Sequence, residues 1–127
     1  MKTPIILSPC RVCGGERFAH HDVLWSNLIS QWELSPEEAA YINVQQGTAC
    51  VGCGSNVRSI ALADAFLRYH ESPIPLVEWV HAPLAQSLQT LEINEAGTLS
   101  GIFKHIRHHR LVRYPEYDMM ALDLESE

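Results

Sequence analysis

No stretch of this 127-residue chain approaches a membrane span, which needs about 20 consecutive apolar residues. The N-terminal "MKTPIILSPC" holds only Ile5, Leu7 and the isoleucine between them as an apolar run, shorter than the core of a secretory signal at roughly 7–15 residues. These absences lead us to expect a cytoplasmic protein with no membrane partner. Basic residues are scarce as well: 9 Lys and Arg stand against 15 Asp and Glu, a net charge of -6. Proteins that live by general attraction to phosphate carry the opposite balance, so nucleic acid is not expected as a partner. Internal repeats and low-complexity tracts are missing too, which argues against a solenoid or a disordered chain. What is left is a globular composition, 46% hydrophobic, at a length suited to one domain or two small ones. A chain of this size can bury roughly two thirds of its surface, enough for a real core.

Nor is there a spare cysteine. The four in the chain fall in two matched pairs, "CRVCGG" (Cys10, Cys13) and "CVGCGS" (Cys50, Cys53). Two residues between thiols, with glycine directly after the second, let the backbone turn so that both sulfurs face one point while amides approach them. Two such knuckles supply the four soft ligands of a closed tetrahedral zinc site. A redox CxxC or disulfides are the weaker readings in a reducing compartment. Four thiolates leave no open position for water or substrate, so the zinc is expected to be structural rather than catalytic. His20 and His21 lie near the first pair, but the site is already closed, and they read as surface histidines.

Residues 14–49, between the pairs, are more than a minimal ribbon needs. Trp25, Leu28, Ile29 and Trp32 recur at i, i+3, i+4, i+7, an amphipathic stripe expected to belong to the core. "SPEE" from Ser35 is a capping box with proline at the first helical position, and Gly47 marks that helix's end. Ser55 or Asn56 can cap a third helix whose expected apolar face is Val57, Ile60, Ala61, Ala65 and Phe66, with Arg58 and Arg68 outside. "HESPIPLVEWVHAP" from His70 holds three prolines without lasting periodicity and reads as the boundary. Beyond it the pattern turns α/β: a strand around 91–93, a helix carrying Leu99, Ile102, Phe103 and Ile106, and a second strand at 111–114.

Between the first strand and that helix lies "TLEINEAGTLS". Dinucleotide-type loops use glycines to turn tightly and to bring backbone close to a ligand. If Glu92 stands at the acid of E-x-G-x-G-x-G, the glycine places are held by Asn94, Ala96 and Thr98, with Gly97 as one free hinge. Asn tolerates left-handed geometry and Ala is small, so such a loop can be built. The second strand leads into "YPEYDMMALDL", which offers Glu116 and Asp118 where a ribose diol would be held.

Taken together, the paired cysteines, "LSPEEAAYI…QQGTAC", "LEINEAG" and "YPEYDMMALDL" resemble the front part of a bacterial class I S-adenosylmethionine-dependent methyltransferase with an N-terminal zinc-binding segment. The resemblance implies a fold that is α/β (α+β overall). It implies a zinc-ribbon-like segment with a helical insertion over 1–70, a linker over 71–88, and an incomplete Rossmann-like βαβ methyltransferase start over 89–127. It implies zinc and S-adenosylmethionine as cofactors, with Glu92, Asn94, Ala96 and Gly97 beside the methionine end of the latter. Glu116 would bind the ribose hydroxyls and Asp118 the adenine amine. No residue offers itself as a general base, and the methyl acceptor stays open. The sequence stops at "ESE", before the next strand of such a sheet. A missing C-terminal half or an oligomeric partner is therefore expected to cover the sheet edges.

A second reading comes from a different class: a stand-alone zinc-binding interaction module for protein or RNA. Lys104, Arg107, Arg110 and Arg113 cluster beside His105, His108 and His109 and could meet an anionic ligand. In so acidic a chain, a solvated helix face explains the same residues.

Overall fold

Antiparallel pairing of two three-residue strands brings the cysteine knuckles together. The computed structural model describes residues 8–113. In it β1 (Phe18–His20) runs against β2 (Thr48–Cys50), with Phe18 opposite Cys50 and His20 opposite Thr48. Each knuckle closes on its own backbone: the Cys10 amide donates to the Gly15 carbonyl at 2.7 Å, and the Cys50 amide to the Ser55 carbonyl at 2.9 Å. Between the strands lie α1 (Ser26–Gln31) and α2 (Pro36–Gly47). The Ser35 hydroxyl accepts from the Glu38 amide while the Glu38 carboxylate accepts from the Ser35 amide, which is the reciprocal cap that the sequence predicts. Gly47 ends α2 where the chain presses on the loop before α1. A Cβ there would lie 1.9 Å from the His21 carbonyl oxygen, so this place admits no side chain.

The tryptophan stripe does not enter the core. Trp25 and Trp32 flank α1 and are each 61% exposed. The helix between them has six residues, none of them buried, because it lies at the rim and shows the interior only Leu28 and Ile29, both half-buried. Only the middle pair of the stripe meets the interior, and the tryptophans at its two ends do not.

α3 (Val57–Tyr69) is capped by the Asn56 side chain, which accepts from the Ser59 amide at 2.9 Å. Its buried face is Val57, Ile60, Ala63 and Leu67. Ala61 and Ala65, expected inside, are exposed. The difference is a rotation of the inward stripe: two alanines offer less area to bury than Leu67 does. Arg58 and Arg68 point outward as expected.

The proline-containing stretch folds into α4 (Leu76–Trp79) and α5 (Pro83–Ser87). Leu76, Trp79, Val80 and Ala85 from it are buried in the same apolar cluster as Cys10, Val12, Cys50, Ile60, Leu99 and Ile106. The first knuckle docks directly on α4, since the Arg11 and Val12 carbonyls accept from the amides of Leu76 and Val77. Next come β3 (Gln89–Ile93), a 3-10 turn (Gly97–Leu99), α6 (Ser100–Phe103) and β4 (His108–Val112). β3 and β4 pair in parallel, Thr90 opposite His109 and Glu92 opposite Leu111. A parallel pair requires the crossover that the turn and α6 provide. The chain is thus a mixed α+β structure with two small sheets among the described residues. β4 starts three residues before the expected 111, and Tyr114 lies outside the described residues.

Candidate metal centre and adjoining cleft

The four cysteine sulfurs lie within 4.8 Å of one another. Across the knuckles, Cys10 Sγ is 3.9 Å from Cys53 Sγ and Cys13 Sγ is 3.6 Å from Cys50 Sγ. A tetrahedron with metal–sulfur bonds of about 2.3 Å has edges of about 3.8 Å, so the set is close to the size a metal ion requires. The backbone follows the sulfurs closely. The Gly15 amide donates to Cys13 Sγ at 3.4 Å, and a Cβ on Gly15 would stand 3.1 Å from Cys50 Sγ. Cys10 and Cys50 are buried, Cys13 and Cys53 half-buried. Burial pushes the Cys13 thiol up to about 12 and raises Cys10 as well. At Cys50 burial also acts upward, but the amides of Cys53 and Gly52 and the neighbouring thiols together bring it below its ordinary value. Four thiols gathered around one point suit a cation that displaces their protons. These residues could hold a metal ion such as zinc. His20, by contrast, bonds Thr48 Oγ1 at 2.6 Å and Asp22 at 2.9 Å and is exposed. It takes no part in the centre.

Residues of α3 and β3, with Thr90 to Ile93 in succession from the latter, line a cleft of about 280 Å³. Leu62 and Phe66 contribute an apolar wall from α3, and Phe103, His109, Glu92, Asn94 and Ala96 also line it. Alternation along β3 sends Thr90 and Glu92 to the same face. Glu92 is buried. One of its oxygens accepts from the Ala96 amide at 2.7 Å and from the Ser100 hydroxyl, while the other lies 3.0 Å from His109 Nε2. The His109 imidazole is only 7% exposed. Its Nδ1 is 2.7 Å from Thr90 Oγ1, and its ring stacks on Phe103 with centroids 5.8 Å apart. Burial alone would raise the Glu92 carboxyl, but donation from Ser100, Ala96 and His109 outweighs it and holds the group below the usual carboxylate range. Glu92 therefore stays charged and ties the loop that follows it to both strands.

Within that loop Asn94 has φ 60° and Gly97 φ 56°. Asparagine thus fills a left-handed place, which its short polar side chain tolerates. Glu92, Asn94 and Ala96 all line the cleft, whereas Gly97 turns toward α3, where a Cβ would lie 3.0 Å from Ser59 Oγ. Glu116 and Asp118 lie outside the described residues. Of the basic residues, Lys104 and Arg107 are exposed, and Arg113 pairs with Glu95 at 2.8 Å. His109 turns inward.

His109, Thr90 and Ser100 are the site residues that the sequence pattern misses. Thr90 could have been found, as it shares the period-two face of Glu92. His109 was masked by the basic residues around it, since only the register of the two strands brings it to Glu92. No protein-family model, curated protein or solved structure matches the chain.

Proposed function

We propose that this chain is the N-terminal part of an S-adenosylmethionine-dependent methyltransferase. In this reading a zinc-ribbon-like segment carries a structural zinc ion, and residues 89–113 begin a Rossmann-like sheet. The observation that carries it is Glu92. It stands on the first strand of a parallel β–helix–β unit, accepts from the Ala96 amide in the loop that follows, and lines a cleft. Ligands of open α/β sheets bind at the carboxyl ends of the strands, and the lining of this cleft runs along β3 from Thr90 to Ile93 and on to Asn94 and Ala96 in the loop at that end. The apolar wall of Leu62 and Phe66 suits a ligand with a flat ring.

Cys10, Cys13, Cys50 and Cys53 hold the zinc in this reading. Asn94, Ala96 and Gly97 bring backbone to the cofactor, Glu92 fixes their course, and Glu116 and Asp118 take the ribose hydroxyls and adenine amine. The bound cofactor supplies an activated methyl group, and the chain's residues bind and orient it. Four cysteines kept as metal ligands rather than disulfides fit a cytoplasmic setting.

Titration with S-adenosylhomocysteine followed by residue-resolved NMR tests the reading. Saturable shifts at Asn94, Ala96, Gly97 and Phe66 are expected. If millimolar ligand leaves these signals unmoved, the cleft is not a site for this cofactor, and the zinc-binding interaction module becomes the better account.

A further inference from the structure

A short chain of contacts joins the metal centre to the cleft. Ser55 follows Cys53 by two residues and is fully buried. Its carbonyl closes the second knuckle by accepting from the Cys50 amide, and its hydroxyl lies 2.6 Å from that of Thr98. Thr98 sits in the 3-10 turn after the Glu92 loop. The next residue, Asn56, caps α3, and α3 supplies the Leu62 and Phe66 wall of the cleft. One short turn therefore holds a metal ligand at its start, the first turn of a cleft wall at its end, and the cleft's loop at its middle. A buried hydroxyl needs its partner, because leaving it unpaired costs more than the bond itself gains.

We infer that the second knuckle is a positioning device for the cleft. Metal held by the four cysteines fixes Ser55, and Ser55 orders the Glu92 loop through Thr98, so metal occupancy sets how well the cleft is formed. Ser55 and Thr98 are positioning residues in this scheme. It rests on the reading of the four cysteines as a metal site but not on the identity of the cleft's ligand. Coupling of this kind is reciprocal: whatever the metal contributes to order in the loop, an ordered loop returns as metal affinity.

Two measurements on the zinc-loaded chain test it: amide hydrogen exchange at Ala96 and Leu99, and zinc affinity by competition with a chromophoric chelator. Thr98→Val keeps the shape and removes the hydroxyl. Exchange at both amides is expected to rise, and zinc affinity to fall, each by roughly two- to tenfold, the equivalent of one net hydrogen bond. Thr98→Ser keeps the hydroxyl and loses the methyl group, and should restore both values. A purely packing role would show the reverse order, with valine silent and serine affected. Faster loop exchange with unchanged zinc affinity in Thr98→Val would make the bond local and overturn the coupling, and so would no change in either. A wild-type chain that binds no zinc, seen directly by metal analysis, overturns the reading of the cysteines instead.

Discussion

A carboxylate in the interior must have its charge met by donors, and at Glu92 the Ala96 amide, the Ser100 hydroxyl and His109 meet it. Burial opposes the charged form and the three donors overcome it, leaving the carboxyl below its ordinary range. A group depressed in this way stabilises the fold above the ordinary carboxylate range and loses that contribution as pH falls through its folded value. Glu92→Gln should therefore cost about 1.5–3 kcal/mol at neutral pH, the worth of hydrogen bonds to a charged group. Urea unfolding should show the gap between variant and parent narrowing on acidification. A gap independent of pH would mean that shape, not charge, matters at this position. The thiols make a second case. Burial holds Cys13 up to about 12, so a bound metal must displace protons, and zinc affinity should rise with pH. Calorimetry in two buffers of different ionisation heat measures the released protons directly. Equal apparent enthalpies in both buffers would count against thiolate binding. At this scale the sequence is legible where chemistry is local: the cysteine spacing stands out by itself, whereas the acid of "LEINEAG" gains weight only from the motifs around it. His109 is not legible, because its meeting with Glu92 depends on strands paired across 17 positions.

Helix caps belong to the elements and are read as easily. Ser35 and Glu38 satisfy each other within one turn whatever surrounds them, so the capping box needed no tertiary knowledge. Facing is different, because it is decided by what the element packs on. The 3.6-residue stripe of Trp25 and Trp32 and the alanines of α3 both look inward from the sequence, yet the structure turns them out. The consequence can be measured. Trp25→Ser and Trp32→Ser each replace an exposed side chain and should change unfolding free energy by no more than about 0.5 kcal/mol. Gly47→Ala sets a methyl group against the His21 carbonyl and should cost about 1–3 kcal/mol, as overpacking does. Thermal melts of the three variants check this. A large loss at either tryptophan would mean that α1 packs inward in solution.

Among the described residues most of the buried apolar side chains form one cluster, though they come from three stretches that differ in sequence character. Val12 and Cys50 from the knuckles, Leu76 and Val80 from the proline-containing stretch, and Leu99 and Ile106 from the βαβ unit meet in it. Polar ties follow the same path: Arg11 Nε donates to Asp64 on α3 at 2.9 Å, and another Arg11 nitrogen donates to the Ser72 carbonyl at 2.9 Å. Changes of composition along a chain reveal where local pattern shifts, but not whether the pieces share a core, because that depends on contacts between distant residues. A shared core implies shared unfolding. Two probes can follow the two ends of this cluster. Thiolate-to-cobalt absorption of the cobalt-loaded chain follows the metal centre. Fluorescence of Trp79, which is 4% exposed, follows the core once Trp25 and Trp32 are replaced by phenylalanine. In guanidinium the two signals should change together, with coincident midpoints and slopes. A metal signal lost while Trp79 remains packed would separate the zinc segment from the rest and restore the division that the sequence suggests. Coincidence would instead make metal binding a contribution to the stability of the whole described chain, cleft included.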